Sequence, residues 1–211
     1  EINLWRELRK NDDTKRLLGG YTAHSWELLG MWAWAPALLT ASFVLAGETT
    51  IAATQWSAQF IMLLHFFGAA AAYIMGRLSD RFGRRTILIW VGAIATGFSL
   101  SVGWFVAFMP YVLAALVIVY AFFAIGDSPV LSTAMAESVE PACLGGMFAV
   151  RSLSGFLAGA ISPVVVGSVI DALRAEQASD TIIWGSAFSI LGIGGLLAVL
   201  FAIGLSKHPR G

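Results

Sequence analysis

GRLSDRFGRR, residues 76–85, packs Arg77, Asp80, Arg81, Arg84 and Arg85 into ten positions of a chain that is only 12% charged. Between Arg85 and Asp127 lie 41 residues without a charge, roughly 60 Å of helix at 1.5 Å per residue. The hydrocarbon core of a bilayer is about 30 Å thick, so this stretch holds two membrane spans. Pro110 is the natural turn between them. The decapeptide then reads as a short loop outside the membrane, joining one span to the next.

The same ruler, applied along the chain, predicts six helices at approximately 18–46, 54–78, 86–108, 111–136, 145–171 and 182–206. Residues 1–16 stand apart as a charged lead-in to a transmembrane domain over 17–211. In it, Leu4, Trp5 and Leu8 form a small apolar face, suited to a helix on the membrane surface or to a solvated linker. Hydrophobic residues make up 58% of the chain and its mean hydropathy is +0.78, too apolar to cover a soluble globule. Lipid admits only helices or closed barrels, and runs this long without alternation are not barrel strands. The fold class is all-α, a six-helix membrane protein.

Other classes find no support. The 13 basic and 13 acidic residues cancel, which gives no sign of a nucleic-acid partner. Cys143 is the single cysteine, too few for a disulfide framework or a cysteine metal cluster. No nucleotide-binding glycine loop, metal-ligand spacing or serine with a base beside it is present, so neither an enzyme nor a cofactor or metal site is expected. Because the chain opens on Glu1 without a signal-like segment, it reads as a piece of a longer product.

Basic residues in short loops set orientation. Arg6, Arg9, Lys10, Lys15 and Arg16 precede the first span, four arginines follow the second, and Lys207 and Arg210 follow the sixth. The loops near Glu48 and Pro110 carry none, 172–181 carries only Arg174, and the acidic loop at 137–144 is the one dissent. Both termini are expected in the cytoplasm of a plasma (inner) membrane. Trp56, Trp104, Tyr111 and Trp184 then fall at the outer ends, where an aromatic belt belongs.

A topology anchor needs only charge. It does not need Gly76, Asp80 and Gly83 at these spacings. Gly76 leaves the end of a helix bare for a close neighbour, Gly83 permits a tight turn, and Asp80 can pair with an arginine or cap a helix. Gly76, Leu78, Asp80, Arg81, Gly83, Arg84 and Arg85 match the G-x-L-x-D-R-x-G-R-R loop of the major facilitator superfamily, which the chain resembles. The fifth span adds GFLAGAISPVVVGSVID, with Gly155, Gly159, Pro163 and Gly167 along one stripe, similar to the small-residue and proline pattern of that family's fifth helices.

The resemblance implies two inverted three-helix repeats forming half of a twelve-helix transporter. The charged lead-in looks like the linker between halves, which favours the C-terminal half. It also implies alternating access around a central site, with Gly76 and Asp80 facing the other half. Arg84 or Arg85 is expected to pair with Glu137. The arginine that the family often places after the proline before its fifth helix is missing from EPACLGG.

Ionisable groups inside spans are costly and mark candidate sites. His24, Glu27, Met31 and Trp34 recur at helical spacing on one face of the first span. Either Glu27 titrates a proton or binds solute with His24 tuning it, or Glu27 makes a structural contact to His24 or backbone. In AIGDSPV, Gly126 and Pro129 weaken the fourth helix around Asp127 and Ser128. Depth counting places Asp127 and Arg151 at similar levels, which suggests a structural ion pair, with a place for Asp127 and Ser128, as for Trp34, in the substrate or proton pathway as the alternative. His65 of the second span is expected to hydrogen-bond between helices or to serve the site.

The resulting expectation is half of a secondary transporter for a small solute, coupled to protons, embedded in the lipid bilayer and partnered by a missing six-helix half. A second copy of the chain completing the transporter, or a non-transporting six-helix scaffold, are the alternatives.

Overall fold

The computed structural model describes residues 4–206, so Lys207 and Arg210, used above for orientation, lie outside the described residues. Seven α-helices follow one another: α1 (Leu4–Lys10), α2 (Asp12–Leu45), α3 (Thr50–Phe82), α4 (Arg84–Val102), α5 (Pro110–Ser138), α6 (Leu144–Ala175) and α7 (Asp180–Gly204). Helices α2 to α7 are the six long, apolar ones, with no strand among the described residues.

The helices overrun the expected spans for a physical reason. A ruler made of charge-free residues measures the hydrocarbon edge, whereas backbone hydrogen bonding continues into water. Helix α2 starts at Asp12 because Asn11 caps it, its side chain accepting from the Thr14 N–H at 3.1 Å. Asp12 and Asp13 then occupy the first turn, where the helix dipole favours them. The third span departs most, because α4 ends early at Val102 and passes into a short 3-10 turn, Gly103–Phe105. There a Cβ on Gly103 would fall 2.1 Å from the Trp184 carbonyl oxygen, so the chain must turn where it meets α7. Pro110 opens α5 at its first position, where its missing N–H costs nothing.

Packing follows a repeat. Helix α2 packs on α6 and α7, as α5 packs on α3 and α4; α4 meets α7, and α2 meets α5. Exchanging α2–α4 for α5–α7 leaves that pattern unchanged, and three crossings per unit put the units in opposite orientations. These are two inverted three-helix repeats. One asymmetry breaks the match: α2 packs against α3, but α5 and α6 barely touch.

The glycine stripe of α6 seats this helix on α2. A Cβ on Gly159 would come 2.0 Å from Leu29, and one on Gly155 would come 2.5 Å from Tyr21. Trp34 covers Gly167 and donates its indole N–H to the Pro163 carbonyl at 3.0 Å. Trp184 departs from the expected aromatic belt, because it is 2% exposed and packs edge-on against Trp34. By contrast, Trp56 and Tyr111 cluster with Phe43 and Phe60 at the end far from the termini.

Helix α1 turns back onto the bundle. Leu4 and Leu8 pack against the core, Leu4 beside Gly146 at the start of α6, while Trp5 remains exposed. Asn11 ties this corner to α5 by donating to the Ser138 carbonyl at 2.7 Å.

Candidate functional site

The α3–α4 connection consists of Gly83 alone, whose φ of 87° lies in the region open to glycine. Arg84 organises the end of the bundle that carries this turn. Its guanidinium reaches Asp80 and Ser79 on α3 and Glu137 on α5, the last at 2.8 Å. Arg85 instead donates to the Ile203 carbonyl of α7 at 2.9 Å. Arg77 donates to the Tyr73 hydroxyl, and Arg81 lies over the Phe82 ring. The decapeptide thus ties α3 to α4, α5 and α7. A basin of about 510 Å³ opens beside it, with Asp13, Asp80, Arg85 and Glu137 in its wall.

Gly76 has a different character. A Cβ built there meets nothing within 4 Å, so nothing in these six helices requires it to be glycine.

Inside the bundle, α2 and α5 carry a two-rung polar ladder. His24 Nδ1 lies 2.9 Å from Asp127 Oδ1, with both side chains buried. Glu27, one turn further along α2 and 3% exposed, accepts a hydrogen bond from the Tyr120 hydroxyl at 3.0 Å. Tyr120 and Asp127 are seven residues apart and share a face of α5. Tyr120 also lies 3.0 Å from the Ser99 hydroxyl of α4, which donates to the Phe188 carbonyl of α7. Gly195 of α7 closes the carboxylate slot, since a Cβ there would come 2.5 Å from Glu27 Oε2. Glu27 therefore faces the interior of the bundle, among α4, α5 and α7.

A gap of about 10 Å³ approaches Asp127 from the decapeptide end, between Leu17, Gly20, Leu88 and Leu131. That is roughly the room one water needs.

Two expectations about pairing need correction. Glu27 does not pair with His24, because His24 turns to Asp127 instead. Asp127 and Arg151 do not form an ion pair among the described residues. Arg151 donates to Ser132 at 2.8 Å and stacks 3.7 Å from the Tyr21 ring centroid. Ser132 is five residues from Asp127, about 140° around α5 at 100° per residue, so equal depth did not mean the same side. Helix α5 is also unbroken through Gly126 and Pro129; the hydroxyls of Ser132 and Thr133 bond back to the carbonyls of Ser128 and Pro129. Ser128 lies on the Ser132 face.

Trp34 serves packing at Pro163, away from the ladder. His65 is exposed near the middle of α3, bonded to its own Ile61 carbonyl and 5.6 Å from the Trp32 ring. Sequence reading missed Tyr120, Ser99 and Gly195. The visible signals were a lone tyrosine in VIVYAFFA and a glycine pair in LGIGGLLA.

Residues 28–211 match the family model described as Major Facilitator Superfamily. The chain belongs to the major facilitator superfamily. This family assignment makes it an integral, multi-pass membrane protein of a transporter family, in keeping with its six apolar helices. The matched region begins one residue after Glu27, so the α2 rungs of the ladder, His24 and Glu27, lie outside it. Comparison with curated proteins and with solved structures gives no match.

Proposed function

We propose that the chain is one six-helix half, the C-terminal one, of a secondary transporter that moves a small solute by alternating access, coupled to protons. The observation that carries this reading is the ladder of Glu27, Tyr120, His24 and Asp127. Charged acids at mid-helix cost several kcal/mol, which makes those that are kept there functional candidates, and a histidine–carboxylate pair is a ready proton relay. Glu27 lies about 22 Å along α2 from Asp12, near the middle of that helix. The water-sized gap at Asp127 offers a route for the proton.

The outer faces support a missing partner. Helices α3 and α6 bury only 22% and 28% of their spans, against 44–50% for the other four. His65, a polar ring at mid-helix, is exposed on α3, where lipid would be a poor neighbour. Together with the empty space at Gly76, this favours another six-helix half on that side. In this reading the decapeptide loop and both ends of the chain are cytoplasmic, and the membrane is the plasma (inner) membrane.

Reconstitution of the full-length gene product in proteoliposomes tests the reading. With an imposed pH gradient, saturable uptake of a solute above its equilibrium level is expected. Saturable but gradient-independent uptake would reject proton coupling, and no saturable flux would reject the transporter.

A further inference from the structure

The asymmetry between the repeats leaves a groove. Helices α5 and α6 barely touch, and Arg151 of α6 bridges them by donating to Ser132, with the Tyr21 ring of α2 against its guanidinium. The groove is lined with hydroxyls: Ser128 and Ser132 from α5, and Thr22 and Ser154, which bond to each other at 2.9 Å, from α2 and α6. In the midst of them sits Arg151, 8% exposed. It has no carboxylate within ion-pair distance among the described residues. One of its nitrogens donates to Ser132, and its Nε has no partner. Among the described residues its charge is otherwise met by the Tyr21 and Phe148 rings, 3.7 and 5.0 Å away.

A guanidinium is always charged, presents five donors in a fixed fork, and matches the geometry of a carboxylate or phosphate. Leaving it buried without an anion is costly, and the other charged groups at comparable depth, Asp127 and Glu27, are engaged elsewhere. Arg151 is about 10 Å from the start of α6, too deep for a role as a surface anchor. The hydroxyls of Ser132, Thr22 and Ser154 are back-bonded to carbonyls of their own helices and can rotate to donate to an anion, whereas the buried Arg151 Nε has no partner.

We propose that this groove binds the anionic oxygen group, a carboxylate or phosphate, of the transported solute, with Arg151 as its counter-ion and Ser128 and Ser132 as hydroxyl partners. The proposal rests on the transporter reading above and adds the substrate class to it. The Tyr21 ring that stacks under Arg151 also lies 5.9 Å from the His24 ring. An anion at Arg151 therefore sits one aromatic ring away from the His24–Asp127 pair.

The test uses the full-length protein in an uncharged maltoside detergent, which carries neither a phosphate nor a carboxylate, so that any bound anion is the one added. Thermal stabilisation is measured with matched pairs of carboxylate and amide, such as lactate with lactamide and benzoate with benzamide, and with inorganic phosphate. At least one anion should bind tenfold or more tightly than its neutral match. That preference should be lost in Arg151→Gln and weakened but still present in Arg151→Lys, which keeps the charge without the fork and guards against a folding failure. Anion binding that survives Arg151→Gln unchanged, or binding confined to neutral or cationic solutes, overturns the anion site while leaving the transporter intact. No saturable binding by any solute overturns both.

Discussion

Asp127 of α5 meets His24 of α2 at 2.9 Å, while Arg151, at a similar depth, turns to the opposite side of α5 and stacks on Tyr21. The buried charges thus divide into two groups on two faces, and this division has consequences for stability. In a double-mutant cycle, His24→Ala and Asp127→Asn should be strongly non-additive, with a coupling of about 1–3 kcal/mol. Asp127→Ala and Arg151→Ala should add within about 0.5 kcal/mol. Unfolding midpoints in detergent measure both cycles, and rescue of Arg151→Ala by Asp127→Ala would contradict the observed pairing.

Tyr120→Phe removes the hydroxyl that bonds Glu27 and contacts Ser99, while keeping the ring. A buried carboxylate stripped of its donor costs about 1–3 kcal/mol. A matching fall in thermal stability is expected. A change of the same size in Tyr111→Phe, at the far end, would show that the effect is not specific to the ladder.

Two glycines should respond in opposite ways. Gly159→Val drives side-chain atoms into Leu29, and overpacking of this kind costs about 1–3 kcal/mol; Leu29→Ala in the same chain should relieve it. Gly76→Leu meets nothing in these six helices, so stability of the half should be unchanged or slightly raised. Transport by the full-length protein should nevertheless fall, because a partner half would meet the new side chain. Undiminished transport in Gly76→Leu would argue against close approach at that position.

Arg84 joins α3, α4 and α5 through Asp80, Ser79 and Glu137 on a partly exposed surface. Exposed pairs contribute about 0–1 kcal/mol, so Arg84→Glu should lower the unfolding midpoint only slightly. Its larger effect should be on the transport rate, with recovery in the charge swap Arg84→Glu, Glu137→Arg. A swap that stays as slow as the single change would show that the pair itself is not what matters.

The six spans were legible because hydrocarbon thickness leaves a direct mark on the spacing of charges. The ends of the helices were less so, since capping by Asn11 and the close approach at Gly103 act outside that rule. In the signature loop, the turn at Gly83, the pairing of Asp80 with an arginine and the reach of Arg84 to Glu137 were legible. Depth can be counted along a helix, but azimuth between helices cannot, and this is why Asp127 was matched with Arg151 rather than His24. Trp184 failed for a related reason: its position near a helix end suggested the membrane interface, while its burial depended on α4 and α7 approaching at Gly103 and Gly185. Tyr120 carried no pattern of its own. Only the fold sets it opposite Glu27.

The central claim is that the buried ladder couples a proton to solute movement, and Glu27→Gln tests it most directly. In proteoliposomes containing the full-length protein, two processes are compared, solute exchange at equal pH and accumulation driven by a pH gradient. Exchange should persist in Glu27→Gln, because binding and alternating access remain, while gradient-driven accumulation is lost. Accumulation with unchanged extent and pH dependence would contradict the account.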